Sequence, residues 1–188
     1  MRCFVAIEIP REEKVTIKKA QNMFTRFSSV RLLNESLLHL TLEFLGDLEE
    51  KEVILVKKAM KLAVAGKPRF SCTGGKICVF PSESFFRVIC IELEKSDALH
   101  ELQKDLSSKI CCELGNENHP AERNFVPHIT FARVKSMQEK EKILTAISAA
   151  NNKAQKISFD VKEIILMQSV LGPAGVTYKA LEKNKLGN

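Results

Sequence analysis

One short pattern occurs twice in this chain, and it limits what the chain can fold into. Leu38-His39-Leu40-Thr41-Leu42 is the first copy and Pro127-His128-Ile129-Thr130-Phe131 is the second. Both read His-apolar-Thr-apolar. In an extended strand, side chains at i and i+2 share a face. Each copy therefore sets an imidazole beside a hydroxyl. Leu38, Leu40 and Leu42, with Ile129 and Phe131 in the second copy, face the other way, into a core. A single histidine on such a strand is more often a hydrogen-bonded structural residue than a catalyst. A second copy 89 residues later shifts that balance, because no need of the fold calls for a histidine in both places.

The segments around the two copies also repeat. Residues 1–9 predict a buried first strand. Pro10 can open an amphipathic helix over 11–27, with Val15, Ile17, Ala20, Met23, Phe24 and Phe27 inward. Residues 30–33 read as short and extended, and 37–45 as the first patterned strand, ended by Gly46-Asp47. A second helix over 49–65 turns Val53, Val56, Met60 and Val64 inward and stops at Gly66 and Pro68. Residues 70–80 predict a strand in which Gly74-Gly75 marks a bulge or a close backbone approach. After a turn at 81–84, the order resumes. It runs as a strand at 85–93, then a helix from an Asp97 cap to about 114 with Leu99, Leu102, Leu106 and Ile110 on one side. A polar loop at 115–123 leads into the second patterned strand at 125–134. A helix at 137–150 and a strand at 157–169 follow, then a Gly172-Pro173 turn and a short strand at 177–181. The polar tail at 182–188 is expected to fray.

Strand, helix, His-x-Thr-x strand, helix, strand thus spans about 2–80 and recurs at about 85–169, with corresponding elements offset by 83 to 89 residues. The repeat predicts one bilobal domain over 1–188, its two lobes facing their His-Thr strands toward one cleft.

Composition removes several alternatives. With 188 residues, 45% of them hydrophobic, the chain can bury a substantial core. No apolar run approaches the roughly 20 residues of a membrane span. The apolar N-terminal stretch is short and interrupted by Glu8, which reads against a signal peptide. The six cysteines show no Cys-x-x-Cys spacing and no Cys/His cluster. Zinc binding and a secreted disulfide framework are therefore not expected, and buried thiols in a reducing cytoplasm are. A net charge of +6 weakly favours an anionic partner such as nucleic acid.

Two imidazoles across a cleft can divide acid–base work, since neutral and protonated forms are both accessible near neutral pH. The neutral ring takes a proton from a nucleophile, and the protonated ring gives one to a leaving oxygen. Each step is worth roughly 10²–10⁴-fold in rate. Thr41 and Thr130 offer hydroxyl donors to non-bridging oxygens, and Arg133 offers a guanidinium fork. This set, with no metal or cofactor, suits phosphodiester chemistry. Strict alternation puts Arg133 on the face opposite His128. Either the strand bulges or ends near Ala132, or Arg133 is a surface residue. Phe44 stands five residues after His39, as Arg133 does after His128. It either packs in the core behind Leu42 or edges the cleft and stacks a base. Glu43 reads as sharing the face of His39, as a solvated strand end or a group that orients an imidazole. His100 and His119 lack partners and read as non-catalytic.

The residues His-Leu-Thr-Leu-x-Phe-Leu-Gly at 39–46 and Pro-His-Ile-Thr-Phe-Ala-Arg at 127–133 resemble the two-histidine phosphoesterase superfamily. Within it, the chain resembles the prokaryotic RNA 2′,3′-cyclic phosphodiesterases, also called 2′-5′ RNA ligases. The likeness extends to Met-Arg-Cys-Phe-Val-Ala-Ile-Glu at the start, Val-Phe-Pro at 79–81 and Gly-Val-Thr-Tyr at 175–178. It implies a bilobal α+β fold with two antiparallel sheets lining a central cleft and helices packed outside. It implies metal-independent hydrolysis of a terminal 2′,3′-cyclic phosphate on RNA to a 2′-phosphate. His39 would be the general acid toward O3′, and His128 the base toward water. Thr41, Thr130 and Arg133 would hold the phosphate, with Phe44 near the nucleobase. The implied partner is an RNA with a cyclic phosphate end, tRNA fragments being one candidate, and the implied state a cytoplasmic monomer. Run in reverse, the site would form a 2′-5′ linkage. Water at roughly 55 M favours hydrolysis unless the ends are held together. Two other functions fit the pattern less fully: a nucleotide- or RNA-binding module without turnover, and a phosphodiesterase for small cyclic nucleotides.

Overall fold

In the computed structural model the chain runs β1 (Arg2–Glu8), α1 (Arg11–Asn22), β2 (Val30–Leu32), β3 (His39–Asp47), α2 (Glu50–Val64), β4 (Phe70–Pro81), β5 (Phe86–Leu93), α3 (Asp97–Leu114), β6 (His128–Val134), α4 (Lys140–Asn151), β7 (Ile157–Val161), β8 (Glu163–Gly172) and β9 (Gly175–Lys185). The structure describes residues 1–115, 125–153, 156–173 and 175–187. The polar loop expected after Gly115, with His119, lies outside them.

The fold is α+β. Among the described residues one nine-stranded sheet runs β7-β4-β5-β6-β3-β1-β8-β9, with β2 added on β6. Its strand pairings are antiparallel. The two sheets expected from the resemblance are here one. The half-sheets β7-β4-β5-β6 and β3-β1-β8-β9 join through a single pair, Leu40 with Ile129. Both side chains are fully buried, so the two halves share one apolar core at this seam. The helices cover the face that carries Leu40 and Ile129. Phe24, just beyond α1, packs 5.7 Å from Phe131 ring to ring. Asn151 at the end of α4 bonds both the N–H and the C=O of Ile77.

Most helical stripes fall where the sequence puts them. Val53, Val56, Met60 and Val64 of α2 and Leu99, Leu102, Leu106 and Ile110 of α3 are buried. Val15 is a correction, at 56% exposed. α1 also ends early, at Asn22, and the chain leaves it through turns that still bury Phe24 and Phe27. The cap of α3 is Ser96, whose Oγ accepts from Leu99 N–H at 3.3 Å; Asp97 is instead its first helical residue. The strand expected at 157–169 is two strands. β7 lies beside β4 and β8 beside β1, at opposite ends of the sheet, so the chain must cross over at Lys162. The tail is ordered rather than frayed. β9 runs to Lys185, Leu186 is buried, and Gly187 N–H donates to Lys67 O at 2.8 Å.

Gly74-Gly75 proves to be both a bulge and a close approach. Gly74 pairs with Leu93 and Lys76 with Glu92, which leaves Gly75 unpaired at a φ of 153°. A Cβ on Gly74 would fall 2.5 Å from Glu92 O, a clash no side chain could avoid.

Two further bulges decide the site. On β6, Ala132 pairs with Ile89 and Thr130 with Cys90, so Phe131 is the extra residue. On β3, Glu43 pairs with Val5 and Thr41 with Ala6, so Leu42 is the extra residue. Both sit three residues after the histidine and both point into the core. The β6 bulge is fastened from behind. The Phe131 carbonyl accepts from Leu33 N–H and from Nε2 of Gln21, each at 2.9 Å. Gln21, 1% exposed on α1, also donates to Leu33 O at 2.8 Å. Replacing it by Met keeps length and apolar contact but removes both donated bonds. Gln21→Met is expected to lower stability by about 1–3 kcal/mol. The check is a denaturant midpoint that falls at constant slope.

Candidate active site

Burial alternates along both patterned strands. Leu40, Leu42, Ile129 and Phe131 are buried, while His39, Thr41, His128 and Thr130 are half-buried on the other face. The Leu40–Ile129 pair sets the register across the seam. One step to either side, antiparallel geometry places His39 across from Thr130 and Thr41 across from His128. The histidines are then diagonal neighbours. Diagonal positions lie about 7–8 Å apart at the backbone, which brings both imidazoles to one patch of the face.

The two rings are held alike. His39 Nδ1 lies 2.7 Å from Leu37 O, and His128 Nδ1 lies 2.8 Å from Val126 O. A carbonyl only accepts, so Nδ1 carries the proton in both rings. Nε2 is thereby free to accept a proton when the ring is neutral, or to donate one when it is charged. Each histidine also has a glutamate opposite it on the inner strand, Glu8 for His39 and Glu92 for His128. These carboxylates lie within reach of lysines instead, Glu8 of Lys14 at 3.5 Å and Glu92 of Lys76 at 3.8 Å.

The bulges answer the question of parity. Beyond Phe131, Ala132 is buried and Arg133 is exposed on the side of His128 and Thr130. Arg133 also acts electrostatically on Tyr178, whose ring lies 5.2 Å from that of His39. Beyond Leu42 the same shift overturns the reading of Glu43 and decides that of Phe44. Glu43 turns to the helix side, where Gln103 of α3 donates to its Oε2 at 3.2 Å, so it does not share the face of His39. Phe44 is 65% exposed rather than core, with its ring 6.4 Å from that of Phe4. Thus the structure brings His39, Thr41, His128, Thr130 and Arg133 to one face, with Phe44 at the edge. His100 stays apart, its Nδ1 2.8 Å from Ser96 O and its ring against Phe125.

Aromatic walls complete the site, and sequence reasoning gave them no role. Phe80 stacks on His128 at 4.6 Å. Phe4 and Tyr178 flank His39 at 4.9 and 5.2 Å. The signals were present in the segments outside the motifs, since Phe80 precedes Pro81 and Tyr178 is the chain's single tyrosine. Behind Thr130, Cys90 and Cys78 follow in register across β5 and β4, with their Sγ atoms 3.4 Å apart. A cavity of about 240 Å³ under α1 and α4 holds none of the six candidate residues. Among the described residues, no three His, Cys, Asp or Glu side chains converge as metal ligands. None of the described helices is long and apolar enough to cross a membrane.

Paired His-x-Thr-x strands meeting at a seam, with both Nδ1 atoms tied back, define a two-histidine phosphoesterase. The chain belongs to the 2′-5′ RNA ligase superfamily, whose sequence pattern matches residues 10–173. It is 31% identical to the RNA 2′,3′-cyclic phosphodiesterase of Methanocaldococcus jannaschii, over 97% of this chain and 99% of that one. It is also 31% identical to the RNA 2′,3′-cyclic phosphodiesterase of Thermotoga maritima, over 96% and 93%. Among solved structures, TT0787 of Thermus thermophilus superposes with a TM-score of 0.82 at 26% identity, covering 99% of this chain and 98% of that one. Apo LigT of E. coli shares the fold with a TM-score of 0.76 at 21% identity, covering 100% and 98%.

The His39 ring sits in a desolvated, charged environment. Burial pushes His39 below its ordinary pKa, the bond to Leu37 O partly offsets this, and charge on His128 pushes it further down. Burial disfavours the charged imidazolium, which is why the sign is downward. The His39 ring is expected to titrate below the range of an exposed histidine when followed by NMR. His128→Asn removes the one depressing charge, so the His39 pKa should rise while staying below ordinary, because burial remains. A His39 that titrates normally, or that is unmoved by His128→Asn, contradicts this electrostatic picture.

Proposed function

We propose that this protein is an RNA 2′,3′-cyclic phosphodiesterase that opens a terminal 2′,3′-cyclic phosphate to a 2′-phosphate. The observation that carries the reading is the matched pair of imidazoles, each with Nδ1 on the carbonyl two residues before it. The relatives named RNA 2′,3′-cyclic phosphodiesterase support it over nearly full length. In the proposed step, Nε2 of one histidine takes a proton from water as the water oxygen bonds to phosphorus. The P–O3′ bond breaks, and Nε2 of the other histidine protonates O3′. Thr41, Thr130 and Arg133 hold the non-bridging oxygens, on which negative charge accumulates. Phe44 offers a face to the terminal base.

We assign His39 as acid and His128 as base. The surroundings of His39 bias it toward its neutral form. For His39 to act as the acid, a bound phosphate anion, which favours the charged imidazolium, must draw a proton onto it. The proposed partners are RNA 3′ ends, tRNA fragments among them. The proposed state is a cytoplasmic monomer, and its six free cysteines are in keeping with a reducing compartment. We also read the chain as one bilobal domain made of two related units. The strand order supports this, because β5 and β4 follow β6 as β1 and β8 follow β3.

Chelator-treated protein, given an oligonucleotide ending in a 2′,3′-cyclic phosphate, is expected to release the 2′-phosphate. The rate should follow a bell-shaped pH profile. His39→Ala and His128→Ala should each lower kcat by roughly 10²–10⁴-fold. Formation of a 3′-phosphate, or His→Ala variants as fast as the parent, would sink the reading.

A further inference from the structure

The face that carries the histidines holds a second arginine that the proposed reaction does not use. Arg31 lies on β2 and pairs directly with Arg133 of β6. Val30 and Leu32 on either side of it pack against the core, which turns Arg31 to the cleft side. The seam therefore carries two facing rows. Arg31, His39 and Thr41 run along one side, against Arg133, Thr130 and His128 along the other.

Like charges directly opposite in a sheet oppose one another. Among the described residues, neither guanidinium has a carboxylate within ion-pair distance. Arg31 also extends toward the β8–β9 hairpin, where a Cβ on Gly175 would fall 3.5 Å from its Nη2. Its charge thus stands at the mouth of the cleft, between the two half-sheets. Two unneutralised guanidiniums side by side call for an anion with more than one charged group, or for two anions.

We propose that Arg31 forms a second phosphate subsite, which takes the 5′-phosphodiester of the terminal nucleotide while Arg133 holds the cyclic phosphate. The proposal rests on the cyclic phosphodiesterase reading and extends it to substrate choice. Arg31 and Arg133 stand directly opposite across the β2–β6 pair, about 4.5–5.5 Å apart at Cα, and their long side chains can reach two separate anions. Phosphates on neighbouring nucleotides present two such anions in one ligand, whereas a nucleoside cyclic phosphate carries no second anion to offer. Arg31 would then make the protein prefer RNA ends, or 5′-phosphorylated nucleotides, over bare nucleoside cyclic phosphates.

The test compares Arg31→Gln and Arg31→Lys with the parent on adenosine 2′,3′-cyclic phosphate and on a dinucleotide ending in the same group. The kcat/KM ratio of dinucleotide to nucleoside should fall about tenfold or more in Arg31→Gln. Arg31→Lys, which keeps the charge, should retain part of the preference. Calorimetric binding of adenosine 2′-phosphate and adenosine 2′,5′-bisphosphate gives a readout without turnover. The parent should favour the bisphosphate, and Arg31→Gln should lose that preference. Equal losses on both substrates, or ratios that Arg31→Gln leaves unmoved, overturn the subsite. If the parent turns over neither cyclic phosphate, the phosphodiesterase reading falls. The binding ratio then still decides whether Arg31 selects a second phosphate.

Discussion

The structure depends on one apolar pair. Among the described residues Leu40 and Ile129 are the sole pairing between β3 and β6, and both are fully buried. Because alternate residues of a strand point to opposite faces, burying these two turns His39, Thr41, His128 and Thr130 outward together. A slip of one residue on either strand would send an imidazole into the core and a leucine or isoleucine into the cleft. Desolvating that imidazole and exposing the apolar side chain both cost free energy, so the hydrophobic core specifies the polar site.

The bulges extend this control beyond the reach of simple alternation. Each motif carries one extra residue, Leu42 or Phe131, at the same distance from its histidine. Each extra residue is apolar and buried, so the core retains it, and the strand resumes with its faces exchanged. On β6 this delivers Arg133 to the side of His128. On β3 it delivers Phe44 and sends Glu43 back to Gln103. One structural device used twice thus places a cation at one end of the face and an aromatic at the other. A buried glutamine on α1 holds the carbonyl that the β6 bulge displaces.

The tied Nδ1 atoms give the site its chemical direction. A ring free to flip could present either nitrogen. A ring bonded to the carbonyl two residues back presents Nε2, whichever protonation state it holds. The aromatic neighbours differ, with Phe80 flat against His128 and Phe4 and Tyr178 around His39. The site is therefore near-symmetric in its bonding and asymmetric in its surroundings, with burial holding His39 below its ordinary pKa.

The sequence by itself determined the two motifs, their inward and outward faces, most of the helical stripes and the bulge or close approach at Gly74-Gly75. These are local consequences of side-chain period and backbone freedom, legible without knowing what packs on what. Only the tertiary structure decided that the half-sheets join into one and that residues 157–169 divide between its two ends. It also decided that Glu43 turns away while Phe44 and Arg133 turn in, and that Arg31 meets Arg133. Each of these depends on partners distant in the chain: a register across the seam, a bulge satisfied by Gln21, a strand added at an edge. Spacing along a chain cannot encode which strand a residue will face, because that choice is made by the shared core.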